Sequence, residues 1–183
     1  MTYGIIPLEQ EKWQDYPLDY LTDYISHEHY KVKIIRDDNN FSVSFIKEPL
    51  SEPFRVNHDY MDQLFRPWWN DIKAWGIADG DNLLAAIETA VDKWNNRLRV
   101  TELWVSEKLR RQGIATKLMD LAINRAREEK RRAVVLETQS HNTKAIGFYL
   151  NYGFTLIGFD SCAYRNNDLE RGEVRMEFGI LLK

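Results

Sequence analysis

Apolar and polar positions alternate through the middle of the chain and then change period. Val32 to Arg36 and Phe41 to Lys47 alternate around Asp37-Asp38-Asn39-Asn40, which predicts a β-hairpin. Ile72 to Ala78 and Leu83 to Val91 flank Asp79-Gly80-Asp81-Asn82, a second hairpin turn, and Trp94-Asn95-Asn96-Arg97 turns the chain into a strand over Leu98 to Val105. These connections are too short for crossovers, so the meander is antiparallel. After Val105 the period becomes helical. Ile114, Leu118, Leu121 and Ala122 recur on one face, predicting a helix over Gly113 to Glu129. The strand Ala133 to Glu137 follows, and strand–helix–strand implies parallel pairing. A second helix, Thr143 to Tyr152, has Asn142 to cap its start and Gly153 to end it. Phe154 to Asp160 and Glu173 to Leu182 read as closing strands around the polar loop Tyr164 to Gly172.

The remaining segments carry weaker patterns. The first thirty residues predict coil with a short helix around Leu18 to Ile25. Pro49 to Pro53 reads as a loop, and Tyr60 to Phe65 as a helical turn ended by Pro67. The fold class is α/β: one domain over residues 1–183, an antiparallel meander followed by a β-α-β crossover and a second helix in a mixed sheet.

With 183 residues and no linker, repeat or low-complexity stretch, the chain fits one domain with a substantial core. No run of eighteen apolar residues appears, and the start lacks a charged segment followed by an apolar core, so neither a membrane span nor a signal peptide is expected. Cys162 is the single cysteine, which excludes an intrachain disulfide and fits a reducing, cytoplasmic compartment. His27 and His29 lack a further ligand at useful spacing, so no metal is expected. Charge is uneven: residues 1–101 balance to −6 and residues 102–183 to +3, which suits an anionic cofactor and a cationic acceptor.

The candidate chemistry starts at the junction of strand and first helix. The first turn of a helix leaves N–H groups without intrahelical partners and carries partial positive charge. Gly113 adds no side chain to block a ligand, and Arg110 and Arg111 add two charges. A diphosphate suits this arrangement. An ordinary solvated basic turn has the same residues. The other basic cluster, Arg125, Arg127, Lys130, Arg131 and Arg132, lies at a helix C-terminus, where cations offset the dipole. It has no interleaved aromatics, so nucleic acid is not an expected partner.

Arg110-x-x-Gly113-x-Ala115, followed by Asn142-x-x-Ala145-x-x-Phe148-Tyr149-x-x-x-Gly153-Phe154, resembles motifs A and B of the GCN5-related N-acetyltransferases (GNAT). The resemblance covers roughly residues 97–161. It implies the acyl-CoA N-acyltransferase fold, with residues 102–161 as the acetyl-CoA-binding core and residues 1–101 mainly on the acceptor side. It implies that the amides of Arg111, Gln112, Gly113, Ile114 and Ala115, with Arg110, hold the diphosphate. Trp104 and Val105 would offer backbone groups to the pantetheine arm from a bulged strand. Asn142 and Ala145 would contribute from the second helix.

Glu102 stands where members of the family often carry a catalytic carboxylate. A salt-bridged structural Glu fits the position as well. Tyr149, two turns after Asn142, is the family's usual general acid; its alternative is an aromatic core contact, a role that suits Phe148 better. Cys162 as an acyl carrier has no His beside it in sequence.

Within the superfamily the C-terminal half is most similar to the streptothricin (nourseothricin) acetyltransferases, through Trp94-Asn95-x-Arg97, Leu136-Glu137-Thr138-Gln139, Gly158-x-Asp160 and Tyr164-x-Asn166. Ala115 departs from the commoner Gly. Glu137, Asp160 and Tyr164 lie outside the cofactor motifs and so bear on the acceptor; Glu137 is also a second candidate base. The resemblance therefore implies acetyl transfer to a primary amine of a small cationic acceptor. A non-catalytic CoA-binding module and an enzyme for another polyamine or aminoacyl compound are the alternatives. A homodimer paired through C-terminal strands is a form the family adopts.

Overall fold

The computed structural model describes residues 4–18, 25–55 and 63–182. Its elements run β1 (Ile6–Leu8), α1 (Gln10–Trp13), β2 (Ile25–Arg36), β3 (Phe41–Arg55), β4 (Lys73–Asp79), β5 (Asn82–Asp92), β6 (Arg97–Val105), α2 (Ile114–Glu128), β7 (Ala133–Gln139), α3 (Thr143–Tyr152), β8 (Thr155–Asp160), α4 (Asp168–Arg171) and β9 (Arg175–Leu181). They fall into two compact units. The first is made of residues 1–22, 59–136 and 180–183, and the second of residues 23–58 and 137–179.

In the first unit the strand order is β1-β4-β5-β6-β7. The first three pairings are antiparallel, and β6 with β7 is parallel across the α2 crossover. β5 is the centre. Every residue from Leu83 to Val91 is buried, which is why its sequence is apolar except at Glu88 and Thr89 rather than alternating. Gly76 is required opposite it, because a Cβ there would collide with the Ala85 carbonyl. α2 packs against β5 and β6 through Leu118, Met119, Ala122, Ile123 and Ala126. Burying each of the larger side chains contributes roughly 1.5–3 kcal/mol. A second cluster joins Leu8, Trp13, Leu18, Leu64, Phe65, Ala74, Leu83, Ala86 and Trp104.

Two irregularities shape β6. Its ladder with β5 passes from Thr89↔Val100 to Glu88↔Glu102, leaving Thr101 as one extra residue. This is the bulge that the family resemblance implied. On the other edge, β6 pairs with β7 at Arg97↔Ala133, Leu98↔Val134 and Arg99↔Val135, and the pairing goes no further toward Val105.

In the second unit, buried polar contacts join its early residues to its later ones. β2 and β3 form a two-stranded ribbon. The ribbon is tied to residues 140–141 by Tyr30 N–H to the Ser140 carbonyl at 2.9 Å and Ser26 Oγ to the His141 carbonyl at 2.5 Å, with Phe54 stacked on His141 at 4.4 Å. Ser140 Oγ donates to the Gly172 carbonyl and accepts from Val174 N–H. β8 pairs antiparallel with β9.

The second hairpin, both predicted long helices and the closing strands stand within a few residues of their expected bounds, whereas β2 begins seven residues before and β3 ends eight residues after the bounds expected for the first hairpin. Pro49 to Pro53, predicted as a loop, instead lies inside β3. A ribbon with one partner strand leaves an edge where a Pro nitrogen costs no ladder bond, and the register shift between Ser26 and Glu28 sits opposite it. The loop Tyr164 to Gly172 contains the short helix α4, and β1 and α1 occupy part of the expected N-terminal coil. Of the predicted helix Leu18 to Ile25, residues 19–24 lie outside the described residues, and Ile25 opens β2. Residues 60–62 of the predicted turn Tyr60 to Phe65 also lie outside, and Gln63 forms a bridge with Pro17 instead of helix. Among the described residues no helix is long and apolar enough to cross a membrane, and no group of three or more His, Cys, Asp or Glu is arranged to hold a metal ion.

Candidate active site

Nine of the residues singled out from sequence come together in the first unit, along β6, the turn after it and the start of α2. Gly113 is the N-cap of α2 with φ 75°, a left-handed conformation that a residue without Cβ adopts at no steric cost. No side chain caps the helix and no acidic residue lies in its first turn. The amides of Ile114 and Ala115 therefore keep their positive ends for a ligand. A Cβ built at Gly113 meets nothing within 4 Å, so the space beside Gly113 itself is open.

The turn itself is held by local bonds, two between backbone groups and one from a side chain. Leu109 N–H reaches the Ser106 carbonyl at 2.9 Å, Arg110 N–H the Glu107 carbonyl at 3.2 Å, and Gln112 Nε2 the Lys108 carbonyl at 2.9 Å. Arg111 also has a positive φ, 60°. Arg110, Arg111 and Gln112 are exposed, and Arg110 Nε donates to the Val105 carbonyl at 3.0 Å.

Ser106 N–H bonds the Leu84 carbonyl, so Ser106, Trp104 and Glu102 turn their backbone groups toward β5. Alternation directs those of Leu103 and Val105 to the opposite edge, the one that β7 has left. Trp104 is 7% exposed, its ring in the apolar cluster. Leu103, which sequence reasoning did not name, thus joins Val105 as a source of edge groups. Glu102 is half-buried and opposite Glu88 in the ladder.

The second unit carries the other six. Asn142 caps α3, its Oδ1 accepting from Ala145 N–H at 3.3 Å. Tyr149 lies on the buried face of α3 with Ile146, among Phe148, Phe154 and Phe178 at 5.6, 5.9 and 6.3 Å between ring centroids. The expectation that Phe148 supplies the core contact is corrected: Phe148 is half-buried, and the i, i+3 spacing from Ile146 turns Tyr149 inward instead.

Glu137 pairs with Arg175, which also reaches Glu177 at 3.0 Å. Burial raises the Tyr164 hydroxyl above its ordinary pKa, and the Glu137 carboxylate adds to the rise. Asp160 accepts Cys162 N–H at 2.9 Å, which lowers its pKa, and Arg175 lowers it further. Glu137, Asp160 and Tyr164 therefore share one electrostatic neighbourhood centred on Arg175. Sequence reasoning missed Arg175, as it missed the fully buried Asp168, which accepts the Tyr164 and Arg165 N–H groups at 2.9 and 2.8 Å. Cys162 is exposed and its thiol is raised by Asp160, the reverse of what an acyl-carrying nucleophile needs.

Two of the cations at the end of α2, Arg125 and Arg131, are held in structural contacts. Arg125 is buried and donates to Thr89 and to the Asp71 carbonyl. Glu129 binds Arg125, Arg131 and Lys73. Those contacts outweigh the effect of burial and bring its carboxyl down to about 2.

Comparison with known proteins identifies the family and the fold. Streptothricin acetyltransferase of Streptomyces lavendulae is 34% identical over 93 residues, 51% of this chain and 49% of that protein. The chain spans about half the length of the curated streptothricin acetyltransferases it matches. The crystal structure of nourseothricin acetyltransferase superposes with a TM-score of 0.71 at 20% identity, covering 100% of both chains. A structure from Bacillus anthracis str. Ames bearing a streptothricin acetyltransferase assignment, in complex with acetyl coenzyme A, gives 0.70 at 21% identity over 100% of this chain and 99% of that one. At these identities the two structures establish the fold. The model of the acetyltransferase (GNAT) family matches residues 42–154, more than half the chain, and the protein belongs to that family.

Proposed function

We propose that this chain transfers an acetyl group from acetyl-CoA to a primary amine of a small cationic acceptor, with a streptothricin-type antibiotic as the first acceptor to test. The observation that carries the reading is the uncapped start of α2 at Gly113, reached through a bulged strand whose pairing with β7 ends at Arg99. Acetyl-CoA supplies the acetyl group as a thioester. The amides around Gly113 to Ala115, with Arg110 and Arg111, hold its diphosphate. Leu103 and Val105 bond the pantetheine arm, and Asn142 joins them.

An alkyl ammonium of pKa about 10.4 costs roughly 4.6 kcal/mol to deprotonate at pH 7. Glu102 takes that proton, directly or through water. The amine nitrogen then bonds the carbonyl carbon and the carbon–sulfur bond breaks; the Tyr149 hydroxyl gives its proton to the leaving sulfur, and the second proton shed by the new amide nitrogen restores it. Glu137, Asp160 and Tyr164 hold the acceptor's cationic groups; the carboxylates of Glu137, Asp160 and Glu177 outnumber the charge of Arg175. In this reading residues 102–161 form the coenzyme side and residues 1–101 contribute mainly to the acceptor side, within one functional domain.

Release of free thiol from acetyl-CoA, measured across streptothricin, polyamines and aminoacyl compounds, tests the reading. Turnover with at least one cationic amine is expected, with kcat lowered about 10- to 100-fold by Tyr149→Phe and KM for acetyl-CoA little changed. CoA binding without turnover for any amine, and identical behaviour of Tyr149→Phe, contradicts it and leaves a binding module. Turnover of other amines but not streptothricin removes only that acceptor.

A further inference from the structure

Glu88 interrupts the apolar run Leu83 to Val91 and is 0% exposed. A strand buried on both faces has no ordinary use for an acid, since taking a carboxylate out of water is expensive unless every oxygen is engaged. Both oxygens of Glu88 are engaged. Phe65 N–H donates to Oε2 at 2.5 Å and Thr101 Oγ1 donates to Oε1 at 2.7 Å. Burial raises the carboxyl above its ordinary range, and these two bonds act against that rise.

The partners are informative. Thr101 is the residue inserted into β6, and a bulge sets two residues of one strand against one of its neighbour. Here Thr101 and Glu102 both stand opposite Glu88. Phe65, the other partner, is buried with φ 59°, a conformation unusual for a bulky residue. Glu88 thus ties the bulge of β6 to a fixed point of the apolar cluster.

The bulge decides which groups face the candidate site. Strand side chains and backbone groups alternate with a period of two, so a one-residue slip exchanges them all. Without the inserted residue, Glu102 would move from Glu88 to a place opposite Ile87, and Trp104 would take the edge that Leu103 and Val105 now hold. We infer that Glu88 is a positioning residue for acetyl transfer: its carboxylate pins the Thr101 bulge and thereby sets the face of Glu102 and the edge presented by Leu103 and Val105. The inference deepens the acetyl-transfer reading and rests on it.

The test compares Thr101→Val, Glu88→Gln and the double variant, each assayed below its own melting temperature and normalised to folded protein. Thr101→Val keeps the side-chain shape and removes only the link. Glu88→Gln keeps the length but offers one acceptor for two donors. Each single variant is expected to lower kcat about tenfold and to raise KM for acetyl-CoA, since small misplacements of catalytic groups are costly. The double variant is expected to be no worse than the worse single one, because both break the same tie.

Lower melting temperatures with wild-type kcat and KM would make Glu88 merely structural and overturn the inference. If Glu88→Gln does not fold, Thr101→Val alone decides by the same criterion. Wild-type protein inactive toward every amine would instead remove the acetyl-transfer reading, and this inference with it.

Discussion

From Arg110 to Ala115 the candidate ligand groups are main-chain amides. Around Arg175 they are side-chain carboxylates and a phenol. The first region is fixed by backbone: Gly113 at φ 75°, short turn bonds, and the packed face of α2 behind it. The second is fixed by charge, with Glu137, Glu177 and Asp160 arranged about one guanidinium. A main-chain site is indifferent to much of its own sequence and fails when its dihedral angles change. A side-chain site keeps its shape and fails when a charge is removed. That division matches the proposed roles, since every acetyl-CoA presents the same diphosphate, whereas acceptors differ.

Substitutions should separate the two kinds of construction. The largest effect is expected from Gly113→Val. A β-branched residue at φ 75° is strained, so relieving that strain shifts the dihedral angles that aim the amides. CoA affinity should fall about 100-fold, roughly 2.7 kcal/mol, by calorimetric titration. A fall below threefold would show that these amides do not hold the coenzyme.

Next comes the far end of the same helix, where side-chain charge supports the main-chain site. The Glu129 carboxyl lies at about 2, below its ordinary value, so its contribution is present above about pH 4.5 and is lost as pH falls toward 2. Acid unfolding of Glu129→Gln should lose roughly 2 kcal/mol less between those limits than the wild-type chain. Parallel curves would show that Glu129 is not the responsible group.

Third, Glu137→Gln leaves Arg175 less compensated. KM for a cationic acceptor should rise about tenfold while KM for acetyl-CoA stays fixed. A change confined to acetyl-CoA would place Glu137 on the wrong side of the comparison. The smallest effect belongs to Arg111→Gln. Its exposed charge is screened, so CoA affinity should fall about two- to fivefold at low salt and less at high salt. A salt-independent, larger loss would mean that the side chain, not the amide, is the ligand.

The same contrast explains what the sequence disclosed. α2, α3 and the strands β4 to β7 announce themselves because each buries a face, and burial imposes a period on the residues. Asn142 and Gly153 mark the ends of α3 for equally local reasons. β2 and β3 were read short. A two-stranded ribbon leaves much of both faces in water, so residues 25–31 show little alternation and Pro49 is tolerated within a strand. Arg175 was not anticipated because its partner Glu137 lies in a strand far earlier in the chain, and nothing local joins them. Glu88 did carry a signal, a lone acid inside an apolar run, but the bulge that gives it meaning exists only once β5 and β6 pair.

The central claim is that main-chain amides at the start of α2 hold the coenzyme's diphosphate. Backbone amide resonances followed during titration with CoA, and separately with pantetheine, test it most directly. The account predicts that CoA gives its largest shifts at Gly113, Ile114 and Ala115, and that pantetheine leaves those three nearly unmoved while shifting Leu103 and Val105. Equal shifts with both compounds, or no shift at Gly113 with CoA at saturation, would contradict it.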